Sequence, residues 1–208
     1  MGYTHYWRRV QEFPESQFAK VVSDFQELLP ELREAGVLLA GGMGDGEAEV
    51  SNEQIWFNGL EKCGHTKRDL GITWPADGAM GVHRGPGDPT AINKWFGGAK
   101  LRRRACGGDC SHETFHLLRV LKLWSEPDEN GRYFQFCKTA YKPYDLAVGA
   151  CLIIAKHYLT DAICVSSDGE EENWEDMAQF CKHFLGYPDG VKFDKEGDLY
   201  LIEGTTEE

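Results

Sequence analysis

The chain has 208 residues, of which 41% are hydrophobic and 27% are charged, and its formal net charge is −12. This length and composition are typical of a globular chain that buries a core without disulfides, so we expect a single domain over residues 1–208. The acidic balance argues against a nucleic-acid coat and against an anionic membrane surface as partners. No apolar run reaches the length of a membrane-spanning helix, and residues 1–10 lack the apolar core of a signal peptide, which predicts a cytoplasmic protein.

Hydrophobic periodicity predicts three helices with strands between them. The first helix, over residues 13–36, has Pro14 in its first turn and Gly36 as its C-terminal stop, and we expect a kink or a new turn at Pro30. The other helices are expected at 142–159 and 173–186. Strands are predicted at 2–10, 37–41, 54–59, 112–118, 131–139 and 162–169, with a last hairpin over 191–202. This order predicts an α+β (mixed α/β) fold in which about three helices pack on a sheet.

Residues 60–110 interrupt this pattern, because they contain ten glycines and no sustained periodicity. They carry nine Lys or Arg residues against five Asp or Glu residues, a local charge of +4, so the rest of the chain carries −16. We expect this loop-like insertion to be either a solvated loop or a lid over an anionic ligand, with Arg102, Arg103 and Arg104 as candidate contacts.

Three of the seven cysteines lie in this Gly-rich, polar stretch, where thiols are more often metal ligands or reactive groups than core residues. Cys63 and His65 lie near one end of the insertion, and Cys106 and Cys110 lie at the other. Three thiolates and one imidazole would complete a tetrahedral Cys3His site, so the sequence predicts one structural zinc that fastens the insertion. Free surface thiols are the alternative, because no C-x2-C pair is present. The other four, Cys137, Cys151, Cys164 and Cys181, lie in apolar segments and are predicted to be buried.

Residues 112–116 spell His-Glu-Thr-Phe-His, the H-E-x-x-H pattern of zinc metalloproteases. On a helix, His112 and His116 would lie one turn apart and Glu113 would activate a zinc-bound water. No third ligand follows at the usual spacing. Three interpretations stay open: a catalytic zinc helix, a strand that places His112 or Glu113 in a site, and a strand whose residues are structural.

The strongest candidate site lies where the strand at 131–139 gives way to the helix at 142–159. A helix N-terminus with two nearby lysines suits a phosphate or carboxylate, and the same field would lower the pKa of Cys137. If the strand at 162–169 is a parallel neighbour of this strand, the ends of the two strands would converge there. The candidate ligand-binding residues are Lys138, Thr139, Lys142, Tyr144, Asp145, Ser167 and, from the insertion, Arg103. The alternative is that these side chains only fill the core, cap the helix and form turns.

The segments "MGYTHYW", "IWFNG", "SHETF", "FCKTAYKPYD" and "SSDG" resemble a family of small uncharacterised proteins from bacteriophages, bacteria and filamentous fungi. The resemblance covers nearly the whole chain and implies a shared fold, but no activity is known for the family. It also implies that residues 112–118 form a strand that pairs with residues 131–139 across a turn. In the family pattern "FNG" and "HETF" lie close together, which implies that residues 60–110 are an insertion. The residues that fall outside the pattern are Cys63, Cys106, Cys110 and His116.

The sequence thus predicts a cytoplasmic protein with a pocket for a small anionic ligand, nucleotide-like or phosphorylated, and slightly favours a hydrolase or transferase. Lys138 and Lys142 would hold the anion, and the predicted catalytic residues are His112 or Glu113 as acid or base, Cys137 as nucleophile and Asp168 as the orienting group. One alternative is a non-catalytic module that sequesters a ligand or binds a protein partner. The other is an H-E-x-x-H zinc metalloenzyme.

Overall fold

The computed structural model describes residues 2–65, 104, 106–122, 126–188 and 190–202, and the fold is α+β, as the sequence predicts. The helices are α1 (Glu15–Glu34), α2 (Asp145–Leu159) and α3 (Glu175–Leu185). The strands are β1 (Thr4–Arg9), β2 (Leu39–Ala40), β3 (Glu49–Val50), β4 (Gln54–Gly59), β5 (Phe115–Leu118), β6 (Tyr133–Lys138), β7 (Ile163–Ser167), β8 (Gly190–Phe193) and β9 (Leu199–Ile202). Two short 3-10 helices, Thr160–Ala162 and Glu171–Asn173, precede β7 and α3.

The three helices form where the apolar periodicity predicts them. The first helix, α1, continues through Pro30, which is exposed, because the apolar residues on both sides, such as Phe25 and Leu32, stay packed in the core. Almost every residue of α2 is buried, since it packs against α1, α3 and β7. The last helix, α3, ends at Gly186, which adopts a left-handed conformation and donates its N–H to the Lys182 carbonyl oxygen at 3.0 Å. Among the described residues, none of the helices is long and apolar enough to cross a membrane.

The first sheet has the strand order β6-β1-β7, with β1 antiparallel to both neighbours. The strands β6 and β7 therefore run parallel to each other on either side of β1, and their C-terminal ends lie at one edge of the sheet. His5 marks this edge, because it lies opposite Cys137 on one side and Ser167 on the other. The two strands are parallel but are not neighbours, because β1 lies between them, so the condition for the predicted convergence of their ends is not met.

The second sheet is built around β4, which pairs with β2 and β3 along one edge and with β5 along the other. The predicted hairpin between residues 112–118 and 131–139 is therefore wrong. The register of β5 explains the difference, since it places Phe115 opposite Phe57 and Leu117 opposite Ile55, and all four side chains are buried. The apolar residues of β5 thus lie on the same buried face of the second sheet as those of β4.

The insertion predicted over residues 60–110 is described only at its two ends. The proposed lid contacts Arg102 and Arg103 lie outside the described residues, whereas Arg104 lies inside them. The C-terminal hairpin forms as predicted, with β8 paired to β9 and a turn at Gly197, whose φ is 82°.

Candidate metal centre

The predicted Cys3His ligand set comes together at the two ends of the insertion. Its members are Cys63, His65, Cys106 and Cys110, whose ligand atoms all lie within 4.8 Å of one another. The Sγ atoms of Cys63 and Cys106 are 3.5 Å apart. His65 Nδ1 lies 3.3 Å from Cys110 Sγ and 3.5 Å from Cys106 Sγ. A tetrahedral zinc, with bonds of about 2.3 Å to sulfur and 2.0–2.1 Å to nitrogen, separates its ligand atoms by roughly 3.6–3.8 Å, so the four atoms are close enough to share one such ion.

Main-chain contacts at the end of β4 hold the two ends of the insertion side by side. A Cβ added to Gly59 would lie only 2.0 Å from the carbonyl oxygen of Cys110. The Cys110 N–H donates to the Leu60 carbonyl oxygen at 3.0 Å, and the Leu60 N–H donates to the Leu38 carbonyl oxygen at 3.0 Å. Only a residue without a side chain allows this approach, which explains the glycine at position 59.

A tight turn presents the second pair of ligands. Gly107 and Gly108 have φ values of 64° and 99°, which glycine adopts without steric penalty, and the Asp109 N–H donates to the Cys106 carbonyl oxygen at 3.1 Å. The Asp109 carboxylate lies 3.3 Å from Lys142 Nζ. This ion pair connects the turn to the residues that precede α2.

Metal binding at this cluster would require proton loss from buried thiols. Burial raises the pKa of Cys106 and raises that of Cys110, which is 0% exposed, well above its ordinary value. Burial also lowers the pKa of His65, so its imidazole is neutral at physiological pH. Neutral imidazole and thiolate are the forms that bind a metal, and a divalent cation would offset the cost of forming buried thiolates.

The H-E-x-x-H stretch is not a helix, so the catalytic zinc geometry predicted from it is wrong. Residues 112–114 form a loop and Phe115–Leu118 is strand β5. His116 Nε2 hydrogen-bonds Gln54 Oε1 at 2.7 Å on the neighbouring strand, and burial lowers the pKa of His116. His112 is exposed. The two histidines therefore do not lie one helical turn apart, as the motif requires.

Two of the other predicted catalytic residues take part in contacts that join chain segments. Glu113 accepts the Lys138 N–H at 2.7 Å through Oε2, which ties the loop before β5 to the end of β6. Asp168 accepts the Tyr6 hydroxyl at 2.7 Å on the outer face of the first sheet. The acid, base and orienting roles of His112, Glu113 and Asp168 stay predictions.

Cys137 is buried on the inward face of β6, where its Sγ donates to the Glu113 carbonyl oxygen at 3.4 Å. Burial raises the pKa of this thiol well above its ordinary value. That shift is opposite to the one predicted for a thiol at the N-terminus of α2. The reason is that the side chain points into the core, where desolvation disfavours the thiolate.

The lysine best placed for the predicted anion is already paired within the protein. Lys142 contacts the Asp109 carboxylate, and its Nζ also donates to the Ser111 carbonyl oxygen. Lys138 is partly exposed and lies over Gly2. Arg103 lies outside the described residues.

The uncharged candidates for the ligand pocket also have partners inside the protein. Tyr144 is buried and donates its hydroxyl to the Glu113 carbonyl oxygen at 2.8 Å. Ser167 Oγ accepts the Trp174 Nε1–H at 3.0 Å. The anionic ligand and the interaction-module alternative therefore stay predictions.

A buried network of charged side chains lies beside the metal cluster, and Asp145 is at its centre. Asp145 accepts hydrogen bonds from His5 Nε2 at 2.8 Å and from Thr139 Oγ1 at 2.5 Å, and it pairs with Arg104 Nη2 at 3.2 Å. Burial acts to raise the pKa of Asp145, but the contacts with His5 and then the charge of Arg104 outweigh it, so the pKa lies below its usual range. Arg104 also pairs with Asp176 on α3, and all of these side chains are buried.

The sequence did not identify His5 and Asp176 as members of a site. It predicted that Arg104 is a lid contact, which is wrong because the Arg104 side chain is 0% exposed.

Comparisons with known proteins found no match for the chain. No protein-family model, no curated protein and no solved structure matches the chain. The resemblance to the phage, bacterial and fungal family therefore stays a prediction, and the case for function depends on the residues themselves.

Proposed function

We propose that this protein binds one Zn²⁺ through Cys63, His65, Cys106 and Cys110, and that the metal has a structural role. The observation that carries the proposal is the convergence of these four ligand atoms within 4.8 Å, although the ligands come from two segments far apart in the chain. Tetrahedral sites with sulfur and nitrogen ligands favour zinc over the harder divalent ions.

The ligand count supports a structural role for the metal. Structural zinc sites are closed by four protein ligands, whereas catalytic zinc keeps a position open for water or substrate. The four residues here would fill a tetrahedron. The zinc would join the end of β4 to the segment that leads into β5, so the two ends of the insertion would be fixed against the second sheet.

The test is the zinc content of tag-free protein by mass spectrometry, for the wild type and for single-ligand variants. We expect one zinc per chain in the wild type and a loss of zinc in Cys106→Ser and Cys110→Ser. The matched control is Cys164→Ser, because Cys164 is half-buried on β7 and outside the cluster, and it should retain the metal. His116→Ala should also retain it. The proposal is wrong if the wild type, refolded with excess zinc, binds none, or if His116→Ala loses the metal while Cys106→Ser keeps it.

Cobalt substitution gives a second readout that does not depend on zinc carried through purification. Three thiolates and one imidazole around Co²⁺ should give tetrahedral ligand-field bands and a thiolate charge-transfer band. Each Cys→Ser variant of the cluster should weaken the charge-transfer band, and Cys164→Ser should leave it unchanged. The hypotheses of an anionic ligand and of a protein partner stay predictions.

A further inference from the structure

The side chain of Arg104 lies deep in the protein, although it is only two residues before the ligand Cys106. It is 0% exposed and lies between two carboxylates. Its Nε and Nη2 both donate to Asp145 Oδ2 at 3.2 Å. Its Nη1 pairs with Asp176 Oδ2, and its Nη2 donates to Asp176 Oδ1 at 3.2 Å. One guanidinium therefore bridges two buried aspartates.

The two aspartates lie at the starts of the two helices that form the centre of the core. Asp145 is the first residue of α2 and Asp176 is the second residue of α3. Carboxylates are favoured at helix N-termini, but two buried carboxylates close together require a cation. Arg104 supplies that cation for both helices, and the contact between Asp145 and His5 extends the connection to β1.

The backbone couples this bridge to the metal cluster. Residues two positions apart are separated by at most about 7 Å, so the position of Cys106 constrains the position of Arg104. A second connection runs from Asp109, between the ligands Cys106 and Cys110, to Lys142, three residues before α2. Both connections end in the segment just before α2 or at its first residue.

We propose that zinc binding and the insertion of Arg104 between Asp145 and Asp176 are a single coupled event, so that zinc occupancy controls the order of the N-termini of α2 and α3. This inference rests on the proposed zinc site and names what that site regulates. When zinc fixes Cys106, Arg104 is held in its bridge. When zinc is removed, Arg104 is released and the two carboxylates lose their shared cation. Thermodynamic linkage makes the effect reciprocal, since whatever the bridge adds to zinc affinity, zinc adds to the stability of the bridge.

The first measurement is zinc affinity by competition with a chromogenic chelator. Removing residues that orient metal ligands without contacting the metal typically lowers metal affinity about 10–100-fold, and we expect a loss in this range for Arg104→Met. Asp176→Asn should also lower zinc affinity. The double variant should lose less zinc-binding free energy than the sum of the losses in the two single variants. The matched control is Arg119→Met, because Arg119 is a partly buried arginine that also pairs with a carboxylate, that of Glu12, but lies away from the cluster. The Arg119→Met variant should bind zinc with the same affinity as the wild type.

Hydrogen exchange gives the second measurement, on the full chain with and without zinc. The amide of Val148 donates to Tyr144 in the first turn of α2, and that of Ala178 donates to Trp174 in the first turn of α3. Both should exchange more slowly when zinc is bound to the wild type. In Asp176→Asn, which keeps Arg104 and its pair with Asp145, the zinc-dependent difference should disappear at Ala178 and persist at Val148. This variant also guards against a simple failure of Arg104→Met to fold.

The outcomes separate this inference from the proposal that it rests on. If the wild type binds no zinc, the zinc site itself is wrong. If the wild type binds zinc, but Arg104→Met and Asp176→Asn bind it equally well and the Val148 and Ala178 amides do not respond to it, the site stands and the coupling is wrong. Weakened zinc binding in the variants together with zinc-dependent protection in the wild type supports the coupling.

Discussion

Replacing Gly59 with alanine tests the metal centre through its backbone and leaves every ligand in place. The added Cβ would lie 2.0 Å from the Cys110 carbonyl oxygen and 2.5 Å from its carbonyl carbon, whereas Cβ contacts under 3.0 Å essentially never occur. The Cys110 main chain would therefore have to move by about 1 Å. Metal–ligand distances tolerate only about ±0.2 Å, so this shift would remove the Cys110 thiolate from a tetrahedral zinc.

The expected size of the effect follows from linkage between metal binding and folding. If zinc affinity falls about 10–100-fold, zinc in excess stabilises the folded state by about 1.4–2.8 kcal/mol less than in the wild type. Overpacking also costs about 1–3 kcal/mol, but it acts with and without metal and cancels in the comparison. The assay is therefore urea unfolding of the wild type and of Gly59→Ala, each with excess zinc and with a chelator.

Gly190→Ala is the control for this prediction. It places a Cβ at the start of β8, where the nearest atom, Ile202 Cδ1, is 3.5 Å away, an ordinary contact. The zinc-dependent part of its unfolding free energy should equal that of the wild type. If Gly59→Ala also keeps the whole zinc-dependent stabilisation, the reasoning from the close approach of Gly59 to Cys110 is refuted.

Three further predictions concern the rest of the protein. Cys137 should resist alkylation at pH 8 in the folded chain and react only after unfolding, because burial raises the pKa of its thiol; rapid labelling of Cys137, read by peptide mass spectrometry, would contradict its placement. Because the contacts with His5 and Arg104 hold the folded pKa of Asp145 below its unfolded value of about 3.9, its contribution to stability is present above that pH and is lost as the pH falls through the folded value. Urea unfolding from pH 6 to pH 3 should therefore show a shallower acid loss for Asp145→Asn, and an unchanged slope would argue against the network. Gly186→Ala should lower the unfolding free energy by about 1 kcal/mol, since the residue has φ 70° at the end of α3, and a neutral or stabilising effect in thermal unfolding would contradict this conformation.

The elements that could be predicted from sequence are those whose signals are local. The periodicity of α1, the hairpin turn at Gly197 and the stop at Gly186 each depend on neighbouring residues, and the structure bears them out. The partner of β5 could not be predicted in this way. Its alternating Phe115 and Leu117 would suit any apolar strand, and the choice of β4 over β6 is made by packing between residues that lie far apart in the chain.

The metal cluster was predictable because its residue types are unusual where they occur. Thiols in a Gly-rich polar stretch are more often metal ligands or reactive groups than core residues, and His65 lies two residues from one of them, so the sequence could point to this set of candidate ligands. The buried charge network carries no such signal, since an Arg–Asp contact can join any two segments. One hint was present in β1, where His5 and Arg9 share the inward alternation of Trp7, and polar residues on a buried strand face need partners.

The proposed zinc and the buried Arg104 bridge would contribute differently to closing the insertion. Cys63 and Cys106 are 43 residues apart, and cross-linking a loop of that length corresponds to about 4 kcal/mol of chain entropy. A buried ion bridge is a poor means of supplying this, because desolvating Arg104 and its two aspartates offsets most of their attraction. Structural zinc in small peptide domains contributes about 10–16 kcal/mol of apparent binding free energy at neutral pH, more than closure requires. The zinc would therefore close the loop. By fixing Cys106, it would also hold Arg104 between the two aspartates, a position that the ion bridge alone would stabilise only slightly.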